Sequence, residues 1–453
     1  MEKKNSGMEG GKDIVAGFLD GALVRTVMAG ALILILMIPA TMIGSLVRER
    51  RSRKCEATAE IAAKWGGVQR LAGPVLIVPV IRKRIDEKGV ERVEREAVAI
   101  LPDSLDVACD ISPEIRYRGI YEVVVYTAKI KIKGSFEALE GGVGDAAEGT
   151  PDWSKARLVL GISDPHGLRD AIRVDFDGET RELSPDDVGT ACSVFKGVGV
   201  DLPGFKHDAR HAFSAELELA GSGGLYLAPV GRETDVKMDS SWSSPSFTGT
   251  YLPKRREVGP AGFSSEWKVF SFNRGYPRIL PGNRYGGAVA KSMFGVSLFI
   301  ENDIYNQAIR SVKYAVLFVT LTFAALILAE IGSGGRLHPV QYLLTGCAVV
   351  MFYSLLIAIS EHLGFATAYL LSGAAILSAI FLYLKAALSK LAAAVAVSGV
   401  QTASLAYFYI TLSLQDYALL MGSLGLFSTL VALMFATRRM NSRTRNKKNA
   451  KGV

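Results

Sequence analysis

Six apolar segments, each about 20 residues long, constrain this sequence more than any other feature, because a helix that crosses a bilayer needs about that length. The first covers residues 26–47, and the others cover 312–331, 340–359, 363–384, 391–410 and 417–436. Each is predicted to span a membrane. We interpret the first as an uncleaved signal anchor, because no small-x-small site precedes the charged residues that follow it.

The distribution of Lys and Arg predicts the orientation of these spans. Arg336 follows the first C-terminal span, Lys385 and Lys390 follow the third, and a basic tail ends the chain, whereas the other two loops contain no Lys or Arg. Positive loops are cytoplasmic, which places residues 48–311 outside. The basic run 48–54 opposes this orientation, but long domains translocate largely regardless of flanking charge.

The net charge of +8, from 52 Lys and Arg against 44 Asp and Glu, does not indicate a nucleic acid partner. Almost all of it belongs to seven basic residues in the tail 438–453, which contains no acid. A basic run beside an apolar segment is better explained by membrane orientation. The lipid bilayer is therefore the expected partner, and no nucleic acid is expected.

The region between the first and second spans reads as a β-rich domain. Residues 48–65 form a predicted helical lead-in that Gly66-Gly67 ends. Short strands separated by Gly, Asp, Ser and Pro clusters follow; they are predicted at 74–81, 121–134, 156–161, 171–176, 212–220, 225–229, 234–238 and 265–272. This pattern predicts a sandwich-like or otherwise β-rich domain, with 135–151 as a flexible insertion.

The predicted fold class is therefore an α+β membrane protein. It has a cytoplasmic N-terminal tail, one transmembrane signal-anchor helix, a periplasmic β-rich domain, a five-helix transmembrane bundle and a basic cytoplasmic tail. The corresponding residues are 1–25, 26–47, 48–311, 312–437 and 438–453. Both termini are expected on the cytoplasmic side.

The external domain offers little catalytic chemistry. His207 and His211 have the i,i+4 spacing of a zinc site, but the motif lacks the Glu of His-Glu-x-x-His, so we expect solvent-facing histidines and no metal. No nucleophile elbow, phosphate-binding loop or dinucleotide-binding motif occurs. We therefore expect no cofactor and no enzyme activity. Cys109 and Cys192 could form one disulfide, although free thiols are the simpler interpretation.

Ionisable residues at the edges of the predicted bundle are the candidate functional residues, since such groups are costly in a membrane. They are Glu330, Arg336, His338, Glu361 and His362. Arg336 is expected within reach of Glu330, and Pro339 suits the first turn of the next helix. Interface anchoring explains these residues equally well. Near mid-bilayer the sequence offers only Gln401 and small hydroxyls, which disfavours a proton-coupled transporter.

Several segments resemble the CreD family of bacterial inner-membrane proteins. They are residues 47–79, 116–121, 240–247, 263–267, 310–315, 336–344 and 360–365. The resemblance covers nearly the whole chain in order. It implies an inner-membrane location, a role in cell-envelope integrity, expression under a carbon-source-responsive two-component system, and altered colicin or β-lactam susceptibility on perturbation. It carries over no catalytic residues.

Three functions are compatible with these observations. The first is non-catalytic binding of an unidentified envelope protein or component by the periplasmic domain, with the bundle as its membrane support. The second is a transporter or export accessory that uses the five-helix bundle. The third, a membrane enzyme, is supported only by scattered His and Asp residues. The lack of a catalytic motif favours the first.

Overall fold

The computed structural model of the chain describes residues 6–85, 91–139, 143, 149–186, 196–299, 304–333, 337–388, 390–413, 420–425, 427–428, 431 and 434. The chain divides into two compact units. The helical unit consists of Met1–Arg53 and Asn302–Val453, and the strand-rich unit of Lys54–Glu301.

The first element is the long helix α1, Ser6–Trp65. It begins well before the predicted span at residue 26 and continues through Pro39, as expected for a proline inside a spanning helix. It ends at Trp65, and the next residue, Gly66, adopts a φ of +132°. A Cβ at this position would lie 2.5 Å from the carbonyl oxygen of Ala220, so both the backbone conformation and the close approach require glycine here.

The described residues of the strand-rich unit include two sheets and the short α-helix α2 (Gly286–Lys291). The strands are β1 (Gln69–Ile85), β2 (Glu91–Ile100), β3 (Ser104–Arg118), β4 (Tyr121–Phe136), β5 (Thr150–Pro151), β6 (Arg157–Ile162), β7 (Arg173–Phe176), β8 (Glu179–Glu182), β9 (Ser184–Asp186), β10 (Gly197–Asp201), β11 (His211–Ser222), β12 (Gly224–Leu227), β13 (Glu233–Ser240), β14 (Pro245–Gly249), β15 (Arg255–Gly259), β16 (Gly262–Phe270), β17 (Ile279–Pro281) and β18 (Phe294–Leu298). All eight predicted strand segments overlap one of these strands.

The two sheets have different strand orders. Within the described residues, one has ten strands with the main order β14-β18-β12-β1-β6-β10-β9, and β2, β5 and β17 complete it through β1 and β2. The other has eight strands in the order β15-β16-β13-β3-β4-β11-β7-β8. Among the described strands, pairing is antiparallel except between β1 and β12 and between β3 and β13.

Side chains from both sheets form one hydrophobic core. Val78 and Leu160 contribute from the ten-stranded sheet, and Val107, Ile130 and Leu217 from the eight-stranded sheet. In β3 and β4 the buried residues alternate with exposed ones, as expected for strands with one face on a core and the other toward solvent. The expectation of a β-rich domain is confirmed. Residues 140–142 and 144–148 of the predicted insertion 135–151 lie outside the described residues.

The C-terminal part of the helical unit contains α3 (Ile304–Lys313), α4 (Ala315–Ser333), α5 (Pro339–Leu363), α6 (Phe365–Ala387) and α7 (Leu391–Ser413). Helix α1 and α4 to α7 are each long and apolar enough to cross a membrane. Half of the sixth predicted span, 417–436, lies outside the described residues. The predicted α+β arrangement is confirmed: an apolar N-terminal helix, a strand-rich middle and a C-terminal helical set.

Close packing between α1 and α5 depends on Gly346. A Cβ at this residue would lie 2.2 Å from Cδ1 of Leu36 and 3.0 Å from the ring of Phe323. Small residues at helix contacts let backbones approach in a membrane, and Gly346 has this role between α1 and α5.

Candidate functional site

The first candidate cluster lies where α4 ends and α5 begins. Glu330 is buried in the last turn of α4, and the hydroxyl of Tyr342 donates to its Oε2 at 2.8 Å. A carboxylate near a helix C-terminus is disfavoured by the helix dipole, and the Tyr342 hydrogen bond offsets part of that cost. Arg336, the predicted partner of Glu330, lies outside the described residues, so their pairing stays a prediction.

His338 begins helix α5 as its N-cap. Its Nδ1 accepts a long hydrogen bond from the Val340 amide at 3.4 Å, and Oε1 of Gln341 accepts from the His338 amide at 2.9 Å. Pro339 occupies the first turn, where its missing N–H leaves no backbone bond unmade. The exposed His338 side chain thus helps to start the helix.

The second candidate cluster lies at the other end of α5. The Tyr305 hydroxyl of α3 donates to Oε1 of Glu361 at 3.1 Å, and the Arg50 Nε of α1 lies 3.8 Å from the same oxygen. Only 9% of the Glu361 side chain is exposed. This carboxylate therefore joins three helices of the helical unit. His362, its neighbour, is exposed and is not part of this cluster.

Helix α5 connects the two clusters, since its 25 residues extend about 37 Å at 1.5 Å per residue. The four sequence candidates that the structure describes therefore do not form a single site. The structure places Glu330 and His338 near one end of α5, and Glu361 and His362 at the other. The partners Tyr342, Tyr305 and Arg50 were not among the candidates. Tyr342 lies in the segment 336–344 and Arg50 in the segment 47–79, both of which resemble the family.

A third cluster, which the sequence did not reveal, fixes the end of α1 within the strand-rich unit. The Trp65 indole N–H donates to the Tyr126 carbonyl oxygen at 3.2 Å, and the Gly67 amide donates to Oδ2 of Asp164 at 2.8 Å. The side-chain amide of buried Gln69 donates to the carbonyl oxygens of Asp164 and Ala220. We call Trp65, Gly67, Gln69, Tyr126 and Asp164 the helix–sheet junction.

The charge state of Asp164 is set by this junction. Partial burial opposes ionisation, but hydrogen bonds from the Gly67 amide and from His166 outweigh it and lower the pKa of Asp164. Burial raises the pKa of the Tyr126 hydroxyl, which donates to the Gly224 carbonyl oxygen at 2.8 Å. The junction therefore contains an ionised carboxylate and a neutral phenol at neutral pH.

The two histidines with zinc-like spacing have separate structural roles. His207 is exposed and stacks on Trp153 with ring centroids 4.8 Å apart. The prediction of solvent-facing histidines is wrong for His211, which is buried. Its Nδ1 is hydrogen-bonded to Oδ2 of Asp177, and its Nε2 is hydrogen-bonded to the carbonyl oxygen of Lys206. Among the described residues, no group of three or more His, Cys, Asp or Glu side chains could hold a metal ion.

Cys55, Cys109 and Cys347 are free thiols, and Cys192 lies outside the described residues. Burial, with a smaller effect from the nearby Asp239 carboxylate, raises the pKa of Cys109 to about 12. Because the thiolate is the reactive form, burial keeps this thiol in its less reactive, protonated form.

The turn between β3 and β4 presents an apolar surface that is held in place by charged neighbours. Tyr117 is 65% exposed, and Ile115 and Ile120 are also exposed. Beside them, the Arg116 guanidinium lies 4.8 Å from the Trp65 ring centroid, and Arg118 pairs with a carboxylate of α1 at 2.9 Å. We call Ile115, Tyr117 and Ile120 the hairpin surface.

The comparisons with known proteins agree with the architecture. The sequence model of the family described as inner membrane protein CreD matches residues 21–443. The inner membrane protein CreD of Escherichia coli (strain K12) is 32% identical over 419 residues, which cover 90% of this chain and 91% of that protein. The resemblance found in the sequence is thereby confirmed, and the chain belongs to the CreD family of inner membrane proteins.

Proposed function

We propose that this protein supports cell-envelope integrity by non-catalytic binding of an envelope protein or component on the periplasmic side of the inner membrane. The strand-rich unit supplies the binding surface, and the helices supply the membrane support. The observation that carries this proposal is the hairpin surface. Exposed apolar groups that form a patch mark interaction sites, and aromatic residues are enriched at such sites.

The neighbours of the hairpin surface favour binding over a random exposed loop. The salt bridge of Arg118 with Glu60 and the stacking of Arg116 on Trp65 attach the hairpin to the last turns of α1. The Tyr117 hydroxyl also donates to Oε1 of Glu122 at 3.3 Å. A surface held in its binding conformation loses little entropy when a partner binds.

Complementation of a deletion strain under envelope stress tests the proposal. The double variant Tyr117→Ser, Ile120→Ser is expected to reach wild-type abundance in the membrane and to lose survival under colicin and β-lactam challenge. Leu252→Ser is the matched control, because Leu252 is an exposed apolar residue outside the hairpin surface. Full survival of the double variant would contradict the proposal, as would equal loss in the control.

The orientation in this proposal rests on the alternation of basic and non-basic loops. Reporters fused after residue 453 and within 332–338 are expected to report the cytoplasm, and reporters within 135–150 the periplasm. A cytoplasmic signal from the 135–150 fusion would reverse the orientation and place the hairpin surface on the wrong side for an envelope partner.

We also propose that the two ends of α5 serve function rather than membrane anchoring alone. Glu361 supports this, because one nearly buried carboxylate contacts α1 and α3. Glu361→Gln retains the shape and removes the charge, and Arg336→Ala tests the opposite end. Both are expected to abolish complementation at normal abundance. The control is Glu49→Gln on α1, whose side chain is more than half exposed. Full complementation by both variants would leave membrane anchoring as the only role of these residues.

A second candidate function is a transporter or export accessory that uses the C-terminal helices. One observation favours it. Gln401, in the middle of α7, is 1% exposed and its side-chain amide has no hydrogen-bond partner among the described residues. Polar groups inside a membrane are costly and are often functional.

A further inference from the structure

Ser372 on α6 and Gln401 on α7 are buried polar residues of the C-terminal helices that lack the hydrogen bonds their surroundings require. Neither amide atom of Gln401 nor the hydroxyl of Ser372 has a partner among the described residues, and Ser372 is 0% exposed. In a membrane, a buried polar group that makes no hydrogen bond is strongly disfavoured. A ligand that hydrogen-bonds both side chains would remove this cost.

Other buried hydroxyls in the C-terminal helices hydrogen-bond to the backbone of their own helix, which Ser372 does not. Thr322, Thr345 and Thr411 each donate to the carbonyl oxygen four residues earlier, at 2.8 to 2.9 Å. This local bond satisfies a hydroxyl inside a helix without help from another element. The Ser372 hydroxyl makes no such bond and is free to bond a group between the helices.

Contacts between α6 and α7 place Ser372 and Gln401 near the same depth. The Tyr369 hydroxyl donates to the Leu405 carbonyl oxygen at 2.9 Å. A Cβ on Gly373 would meet Cδ1 of Leu405 at 3.6 Å. Ser372 adjoins Gly373, and Gln401 lies one helical turn from Leu405, so the two polar side chains lie within about one turn, or roughly 6 Å, along the helix axes.

The chemistry of the two side chains specifies the ligand. An amide and a hydroxyl each offer donors and acceptors but no charge, so they suit a small neutral molecule that both donates and accepts. We propose that water enters the interface of α6 and α7 and hydrogen-bonds Ser372 and Gln401. This inference is independent of the proposed envelope binding, because it concerns different residues in the other unit.

The position of this site near the middle of α7 bears on function. Gln401 lies ten residues into α7, about 15 Å from its first residue, which is the middle third of a helix of 23 residues. Water at that depth would give the C-terminal helices a hydrated interior. Such an interior is a requirement for moving polar solutes and is not needed by a membrane anchor.

Cysteine labelling of the full-length chain in lipid nanodiscs tests the proposal. Ser372→Cys and Gln401→Cys are made singly in the otherwise unchanged chain. Each is reacted with 2-aminoethyl methanethiosulfonate, which needs a hydrated thiolate, and labelling is quantified at that peptide by mass spectrometry. Ala368→Cys is the matched control, because Ala368 is equally buried on α6, one turn from Ser372.

Both test positions are expected to react at least ten times faster than position 368. Equal rates at all three positions, or faster reaction at only one test position, would overturn the proposal. The ligand is tested without substitution by magnetisation transfer from water to side-chain amide protons in the ¹⁵N-Gln-labelled chain. A water-contacting Gln signal that disappears in Gln401→Leu is expected. Absence of any such signal would also overturn the proposal.

Discussion

Replacement of Asp164 by Ala is expected to loosen the helix–sheet junction without unfolding the chain. The Gly67 amide donates to its Oδ2 at 2.8 Å and the His166 amide to its Oδ1 at 3.1 Å. A hydrogen bond to a charged group contributes about 1.5 to 3 kcal/mol. The Asp164 side chain is 27% exposed, so solvent screening reduces this range. We expect the two hydrogen bonds together to contribute about 2 kcal/mol to the stability of the junction, which Asp164→Ala would remove.

Hydrogen exchange of the full-length chain in detergent micelles measures this loss at the Gly67 amide. A loss of about 2 kcal/mol corresponds to roughly 30-fold faster exchange. Asp175→Ala is the matched control, because Asp175 Oδ1 accepts from the Gly178 amide at 3.1 Å in a distant turn. That control should accelerate Gly178 and leave Gly67 unchanged. Unaltered exchange of Gly67 in Asp164→Ala would refute the reasoning, as would equal acceleration in both variants.

The same carboxylate predicts a dependence on pH. The pKa of Asp164 is lowered in the folded chain, so its contribution is fully present above the unfolded value of about 3.9 and is lost as the pH falls through the folded value. After correction for intrinsic exchange rates, the wild-type chain should therefore lose the extra protection of Gly67 in acid. Asp164→Ala should show no such loss.

Three further outcomes follow from burial and contact. Cys109, with its pKa raised to about 12, should resist thiol reagents at pH 8 until denaturant unfolds the strand-rich unit; rapid labelling of the folded chain would contradict this. Gly167→Ala should lower the free energy of unfolding by about 1 to 3 kcal/mol, because the new Cβ would lie 2.1 Å from a carbonyl oxygen of β11. Thermal melts should show no such loss for the control Gly287→Ala, because no atom lies within 4 Å of a Cβ at that position. Tyr342→Phe should lower the apparent melting temperature in detergent, because it removes a hydrogen bond to the buried Glu330 carboxylate. An unchanged melting temperature would show that this hydrogen bond does not stabilise the helices.

The fold could be predicted where the sequence pattern is local. Spans follow from apolar length, and strands such as β4 follow from period-two alternation with Gly and Pro at their ends. Strand β3 was missed although its residues alternate between exposed and buried. Asp106, Asp110 and Pro113 are turn-forming residues in isolation, but the aspartates lie on the exposed face of a strand that is paired on both sides.

The candidate sites were harder to predict because their partners are distant in the chain. Glu361 drew attention as an ionisable residue at a membrane edge, but its contact Tyr305 precedes it by 56 residues. The helix–sheet junction was missed for the same reason, since Gly67 and Asp164 are 97 residues apart. Composition and spacing identify costly residues, and only tertiary packing shows what offsets their cost.

The contacts of α1 also bear on the one sequence observation that opposes the proposed orientation. Five basic residues follow the first span, and free positive charges there would favour the cytoplasmic side. In the structure, Arg53 pairs with Glu49 at 2.7 Å, and the Arg50 Nε lies 3.8 Å from Glu361. A charge with a partner costs less to remove from water than a free one. We therefore expect the basic run to be a weaker retention signal than its count of Lys and Arg suggests, and our proposed orientation follows the alternation of the C-terminal loops.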